Sequence, residues 1–307
     1  MQKNRNGLLE IYRFILCFWP MYHHEFFFFE RTSAFSVAEL TVDFFFIISG
    51  YFLISSMQRV FNDKPMLGIG KLLYNRLKPI GFTVAFIAIF NVICLLLFIR
   101  ENYIYVTFRN IRYWWFVLYL FIGIAFFYLA FRLLKNKKAY AIFLSVWALI
   151  MAVLHYLVAV KGYFIPEVLY FTRMFGCLAL GMLCSYVPKW KPKGFNFNII
   201  FVAVLIPLLL YLAYGQKDYW LCIGMLLLFA ALIYFSTSVN VSGKFFDLLG
   251  QISIRFYLYM AFVSMLCTLG LTHHRILFVI DVFLATIDLL FFTYYKKYKA
   301  MKKALQA

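Results

Sequence analysis

Long apolar runs recur along the whole chain, and each is close to the length that crosses a bilayer. A helix rises 1.5 Å per residue, so about 20 apolar residues span a hydrocarbon core of about 30 Å. The pattern predicts an all-α integral membrane protein, a bundle of about ten transmembrane helices. The predicted spans lie at about 8–29, 40–58, 79–99, 114–134, 139–160, 166–187, 196–215, 218–239, 254–272 and 275–295.

The composition agrees with a membrane domain and excludes a soluble one. Of the 307 residues, 65% are hydrophobic and 14% are charged, whereas soluble domains are about 45–50% apolar. No stretch is polar enough for a separate globular unit, so residues 1–307 are expected to form a single transmembrane domain. The first apolar run contains Glu10 and Arg13 and lacks a small-residue cleavage site. We therefore expect it to remain as the first span rather than to be removed as a signal peptide.

The formal net charge of +18 is explained by membrane topology, and no nucleic-acid partner is expected. Ten spans place both termini on one side, and most of the 30 Lys and Arg residues lie in the loops and the tail of that side. This assignment counts Arg255, at the start of the ninth span, with the cations of that side. Because positive charge accumulates in cytoplasmic loops, both termini are predicted to be cytoplasmic.

The cysteines give no sign of a disulfide or a structural metal. None belongs to a Cys-x-x-Cys pair or lies in a cluster with histidine, so neither feature is expected. The six residues all fall within apolar runs: Cys17, Cys94, Cys177, Cys184, Cys222 and Cys267.

The first span carries ionisable residues, which are costly inside a membrane and often mark a functional site. Arg13 and His24 are eleven residues apart, so they share a helix face about 16 Å apart. Imidazole has an unperturbed pKa near neutral pH, so His24 can take a proton from a hydroxyl and return it. The alternative is an interfacial histidine at the outer membrane boundary. His23 and Glu25 flank His24 and point about 100° away from this face.

The second span begins near the same depth with Asp43. This carboxylate could orient the imidazole of His24 and stabilise its charged form, as in a Ser-His-Asp arrangement. The alternative is a carboxylate at a helix N-terminus, which the helix dipole favours. Ser49-Gly50 in mid-span indicates first a point of close helix packing. A catalytic role for Ser49 is less well supported, because the Gly-x-Ser-x-Gly turn is absent.

Two further sets of cations stand out. Lys71, Arg76 and Lys78 lie at the mouth of the third span. They fit either ordinary positive-inside bias or a site for phosphate oxygens. Arg173 lies inside the sixth span and needs an internal partner or a polar cavity, with a functional or structural-polar role.

Three motifs together resemble the membrane acyltransferase-3 family, which includes bacterial O-acetyltransferases of surface polysaccharides. They are Arg13 followed by His24, the stretch Val42-Asp43-Phe-Phe-Phe-Ile-Ile-Ser49-Gly50-Tyr51, and Arg76-Leu-Lys-Pro79. The resemblance implies a ten-helix bundle in the bacterial inner membrane. It also implies transfer of an acyl group, usually acetyl, from cytoplasmic acyl-CoA to a hydroxyl of a cell-surface glycan or its lipid-linked precursor.

The resemblance also implies roles for residues of this chain. His24 would be the catalytic histidine, Arg13 its partner near the acyl donor, and Arg76 part of the coenzyme A phosphate site. Glu10 stands where the family usually has aspartate, and Met260 stands where the motif that begins at Ser253 usually ends in histidine.

A second class of function fits the same residues. Arg13, His24, Asp43 and Arg173 could line the path of a transporter or exporter of a glycan or a small solute. Dependence on an acyl donor distinguishes this class from an acyltransferase.

Overall fold

The computed structural model describes residues 6–26, 37–63, 68–97, 115–160, 166–189, 219–238, 242–268 and 274–305. Every regular element within these ranges is an α-helix, which confirms the all-α fold. The ten helices are α1 (Gly7–Phe26), α2 (Val37–Asp63), α3 (Gly68–Leu77), α4 (Gly81–Leu97), α5 (Trp115–Leu134), α6 (Lys137–Val160), α7 (Pro166–Tyr186), α8 (Tyr219–Ser236), α9 (Lys244–Thr268) and α10 (His274–Leu305). The predicted span 196–215 lies outside the described residues.

Several of these helices are suited to a bilayer, as expected for a membrane protein. In the described part of the chain, α2, α5, α6, α7 and α8 are each long and apolar enough to cross it alone. A sixth span results if α3 and α4, which are bent by 70° at a short break, are one broken segment. Two helices extend well beyond their predicted spans: α9 begins ten residues before position 254, and α10 ends ten residues after position 295.

Short polar side chains set two of the helix boundaries. Asn6 precedes α1, and its side-chain oxygen accepts hydrogen bonds from the backbone N–H groups of Leu8 and Leu9 at 3.1 and 3.3 Å. Asn136 precedes α6 and accepts in the same way from the N–H of Lys138 at 2.8 Å. Lys135, with φ 46°, ends α5 in the left-handed conformation. These are N-caps and a C-terminal turn that satisfy backbone groups left over at helix ends.

The described helices belong to two compact units, of which the first comprises residues 1–9, 31–74 and 116–242. In this unit α7 packs against both α2 and α6, and α8 packs against α2 and α7. Asp43 of α2 meets Arg173 of α7 near the start of both helices, and Gly50 meets Leu178 further along, so these helices run parallel. The parallel direction is consistent with the alternation that ten spans require for the second and the sixth.

Close approach of α2 and α7 depends on two glycines. A β-carbon on Gly50 would overlap the carbonyl oxygen of Leu178, and one on Gly181 would overlap the carbonyl oxygen of Ile47. Small residues allow membrane helices to bring their backbones together. The helix-packing interpretation of Ser49-Gly50 is thereby confirmed for Gly50.

The second unit comprises residues 10–30, 75–115 and 243–307. In this unit α9 packs against α10, and both pack against α4. Phe14 of α1 contacts Phe256 of α9 edge to face, with ring centroids 6.4 Å apart. Phe82 of α4 stacks on Phe291 of α10 at 4.8 Å. These contacts hold four helices around a core that contains several charged side chains.

Replacement of Gly181 by leucine tests the α2–α7 packing. We expect Gly181→Leu to lower the melting temperature of the detergent-solubilised protein, because the new side chain has to displace backbone atoms of α2. Overpacking of this kind costs about 1–3 kcal/mol or more. The matched control is Gly224→Leu in α8, where no atom lies within 4 Å of a β-carbon. Equal melting temperatures for the two variants would contradict the close approach.

Candidate active site

Arg13 is held on α1 by a carboxylate one turn before it. Its Nη1 atom donates to both oxygens of Glu10, at 3.0 and 3.3 Å. Residues at this spacing face each other on a helix, so the pair forms within α1 itself. The Glu10 side chain is 8% exposed and that of Arg13 is 21% exposed. The guanidinium is therefore oriented by a buried partner, while part of the Arg13 side chain stays exposed.

A single helix carries both Arg13 and His24. The backbone of α1 is helical from Gly7 to Phe26, through Pro20, so the two positions are about 16 Å apart along the axis. The side chains of His23, His24 and Glu25 lie outside the described residues. The role of His24 therefore stays a prediction, and the helix that it requires is present.

Arg173 is bound by Asp43 in the first unit. The guanidinium Nε donates to Oδ1 at 3.2 Å and Nη2 donates to Oδ2 at 3.0 Å, which is a two-point ion pair. Both side chains are buried, with 3% and 4% exposed. Asp43 is the internal partner that an arginine within a span needs. The predicted contact between Asp43 and His24 is not described, and it stays a prediction.

The same unit contains a buried histidine that the sequence analysis missed. Nδ1 of His155 on α6 lies 3.1 Å from the hydroxyl of Thr172, next to Arg173 on α7. That hydroxyl donates to the carbonyl of Leu169, so the imidazole donates to it. The ring of Tyr219 lies beside the imidazole, with centroids 6.1 Å apart. The sequence did contain a signal for this residue, since His155 is a lone histidine in an otherwise apolar run.

The second unit contains a charged cluster in its core. Nε of Arg255 on α9 lies 3.4 Å from Oδ2 of Asp288 on α10, and Thr83 of α4 donates a hydrogen bond to the same oxygen. The guanidinium lies over the ring of Phe292, 4.9 Å from its centroid. The ion pair thus joins α9 to α10, and the hydrogen bond from Thr83 attaches α4 to the same carboxylate. Asp281, also buried, lies two turns before Asp288 on the same face of α10.

Arg255 lies deeper in its helix than its use as a topology signal assumed. It was counted with the cytoplasmic cations at the start of the ninth span, whereas α9 begins at Lys244, which puts Arg255 three turns inside the helix and 2% exposed. Its charge is accommodated by Asp288, so it is no longer a topology signal. The sequence did carry a signal for the acidic partner, since Asp288, like Asp281, interrupts the predicted last span.

The proposed phosphate-binding cations lie on and just after α3. Lys71 and Arg76 belong to this helix, and Lys78 follows in the turn that the bond from Ile80 N–H to Leu77 carbonyl closes. Lys71 and Lys78 are exposed and Arg76 is half-buried. Lys71 falls in the first unit and the other two fall in the second.

Two remaining features bear on the chemistry. Ser49 is half-buried on α2 beside Gly50. Met260 is buried on α9, one residue after Tyr259, whose hydroxyl interacts with Asp288. Among the residues with described positions, no group of three His, Cys, Asp or Glu side chains could hold a metal ion.

Comparison with protein families identifies the chain. The family model described as "Acyltransferase domain", of the acyltransferase-3 type, matches residues 8–295. The match runs from the first helix to the last and includes the Glu10–Arg13 pair, both buried ion pairs and the cations of α3. Comparisons with curated proteins and with solved structures found no match. The chain belongs to the acyltransferase-3 family of membrane acyltransferases.

Proposed function

We propose that the protein is an O-acyltransferase that uses cytoplasmic acyl-CoA, with acetyl as the acyl group. The acceptor is a hydroxyl of a cell-surface glycan or of its lipid-linked precursor. The observation that carries this proposal is the unbroken helix α1, which bears a guanidinium oriented by Glu10 and, about 16 Å further along, the position of His24. That separation suits a helix on which Arg13 lies at the depth of the acyl donor and His24 lies at the depth of the acceptor hydroxyl.

His24 is the general base in this proposal. Its imidazole takes the proton of the acceptor hydroxyl as the oxygen attacks the thioester carbonyl carbon. The C–S bond breaks, the thiolate of coenzyme A leaves, and the proton passes from the imidazolium to that thiolate. The products are an ester and free coenzyme A. In a two-step version the imidazole itself attacks the thioester carbonyl carbon, and coenzyme A leaves as the thiol with the imidazole proton. The acceptor hydroxyl then attacks the acyl-imidazole, takes the acyl group and returns its proton to the ring.

The cations at the cytoplasmic mouth hold the donor. Phosphate oxygens are bound well by guanidinium groups, which can offer two parallel N–H donors, and by lysine as a point charge. Arg76, with Lys78 and Lys71, supplies both kinds of cation on α3 and the turn after it. Arg13, with its guanidinium oriented by Glu10, is the helix partner of His24 at the donor side.

Asp43 acts in this proposal as a support for the reaction centre. The two-point ion pair with Arg173 keeps its carboxylate in a fixed place on α2. A carboxylate fixed in this way can stabilise an imidazolium at a comparable depth.

A histidine pair on α1 provides the central test. We expect His24→Ala to abolish transfer of label from [acetyl-14C]acetyl-CoA to glycan extracted from a deletion strain, in proteoliposomes of the purified protein. The adjacent His23→Ala is the matched control and keeps activity, because its side chain points about 100° away. Retained transfer in His24→Ala at equal membrane level would refute the base assignment. Flux of an unmodified solute without transfer in the wild type would favour the transporter alternative.

The donor site makes a separate prediction about KM. Arg76→Ala is expected to raise KM for acetyl-CoA by about tenfold or more, since a hydrogen bond to a charged group contributes about 1.5–3 kcal/mol. Arg76→Lys should recover part of the loss because it keeps the charge. Lys189→Ala, an exposed cation after α7, is the control and leaves KM unchanged. An unaltered KM in Arg76→Ala would remove this residue from the donor site.

The proposed location is the bacterial inner membrane with both termini in the cytoplasm. Green fluorescent protein fused after Ala307 is expected to fluoresce, and alkaline phosphatase fused there is expected to be inactive. Alkaline phosphatase fused after Lys161, in a predicted outer loop, serves as the opposite control and is expected to be active. The reverse pattern would invert the proposed topology and place Arg13 away from the donor.

A further inference from the structure

We propose that Gly250 on α9 is a positioning residue for Arg13. Because Gly250 has no side chain, α9 has a recess at this position, and the Glu10 carboxylate lies in it. This inference rests on the proposed function, in which Arg13 is at the donor side of the reaction centre. It assigns a role to a glycine that lies about 240 residues from Arg13 in the chain and bears no reactive group.

The recess is defined by the atoms that a side chain at position 250 would overlap. A β-carbon on Gly250 would coincide with Oε2 and Cδ of Glu10, and it would lie 3.1 Å from Cγ. Real β-carbons do not approach other heavy atoms so closely, and the overlapped atoms are the carboxylate end of the Glu10 side chain, which can move aside. Any side chain at position 250 therefore displaces the group that binds Arg13.

A glycine in the interior of a helix calls for such a reason. Gly250 is the seventh residue of α9 and lies in regular helical backbone, where glycine is among the least favourable residues. Its carbonyl accepts a hydrogen bond from the buried hydroxyl of Ser253 at 3.1 Å. The position is buried, so the close approach of Glu10 accounts for the absence of a side chain.

The two helices have little freedom to move apart around a larger residue. One turn further along α1, Phe14 packs against Phe256 of α9 with ring centroids 6.4 Å apart. Phe256 is 4% exposed. A side chain at 250 is therefore expected to push the Glu10 carboxylate aside, and the guanidinium that binds its two oxygens moves with it.

The shorter carboxylate of aspartate provides the test, since it withdraws from the recess by one methylene. We expect Gly250→Ala to lower kcat by about tenfold when residue 10 is glutamate, with KM for acetyl-CoA unchanged. In the Glu10→Asp background the same change should lower kcat by less than about threefold. The control is Gly224→Ala in α8, where a β-carbon meets no atom within 4 Å; it should leave kcat unchanged. Equal losses from Gly250→Ala in both backgrounds would overturn the inference.

Melting temperatures test the recess independently of the proposed function. They are measured for the wild type, Gly250→Ala, Glu10→Asp and the Glu10→Asp/Gly250→Ala protein. If Gly250→Ala does not accumulate in the membrane, accumulation of the Glu10→Asp/Gly250→Ala protein supports the recess, and failure of both proteins overturns it. If the wild type transfers no acetyl group, the proposed function fails. The recess is then supported by a smaller loss of melting temperature from Gly250→Ala in the aspartate background, and equal losses overturn it.

Discussion

The cost of an unpaired charge in a low-dielectric environment governs the core of this protein. Moving an isolated ion out of water costs many kcal/mol, whereas a paired and hydrogen-bonded ion can be kept. The described core meets this constraint with ion pairs. Asp43 binds Arg173 between two helices of the first unit, and Arg255 binds Asp288 between two helices of the second. Each pair decides which helix faces meet, because removal of one partner would leave the other charged and buried.

The pair on α1 differs from the other two in a way that suits function. Glu10 and Arg13 belong to one helix, so their contact is not needed to join helices. The side chain of Arg13 is 21% exposed, whereas Arg173 and Arg255 are almost fully enclosed. A cation that is oriented but still accessible can bind a ligand. The two enclosed arginines instead each join two helices within their own unit.

Sequence reasoning succeeded where a local property decides the outcome. The length and apolarity of the runs predicted helices at nine of the ten proposed spans, and the tenth lies outside the described residues. It failed where a distant partner decides the outcome. Arg255 was counted as a topology signal because it stands at the start of the predicted ninth span, and its burial depends on Asp288, which lies on another helix. His155 was missed for the same reason, since Thr172 and Tyr219 lie on other helices.

The sequence by itself determined the family, the helical class and the placement of Arg13 and His24 on one helix, because these depend on local motifs, on spacing along one helix and on the apolar length of a span. Only the tertiary structure decided that Asp43 binds Arg173, that Arg255 binds Asp288, and that Gly250 lies against Glu10. The physical reason is that these contacts join positions far apart in the chain. Whether a charge is paired, or a glycine is indispensable, depends on which helices pack together.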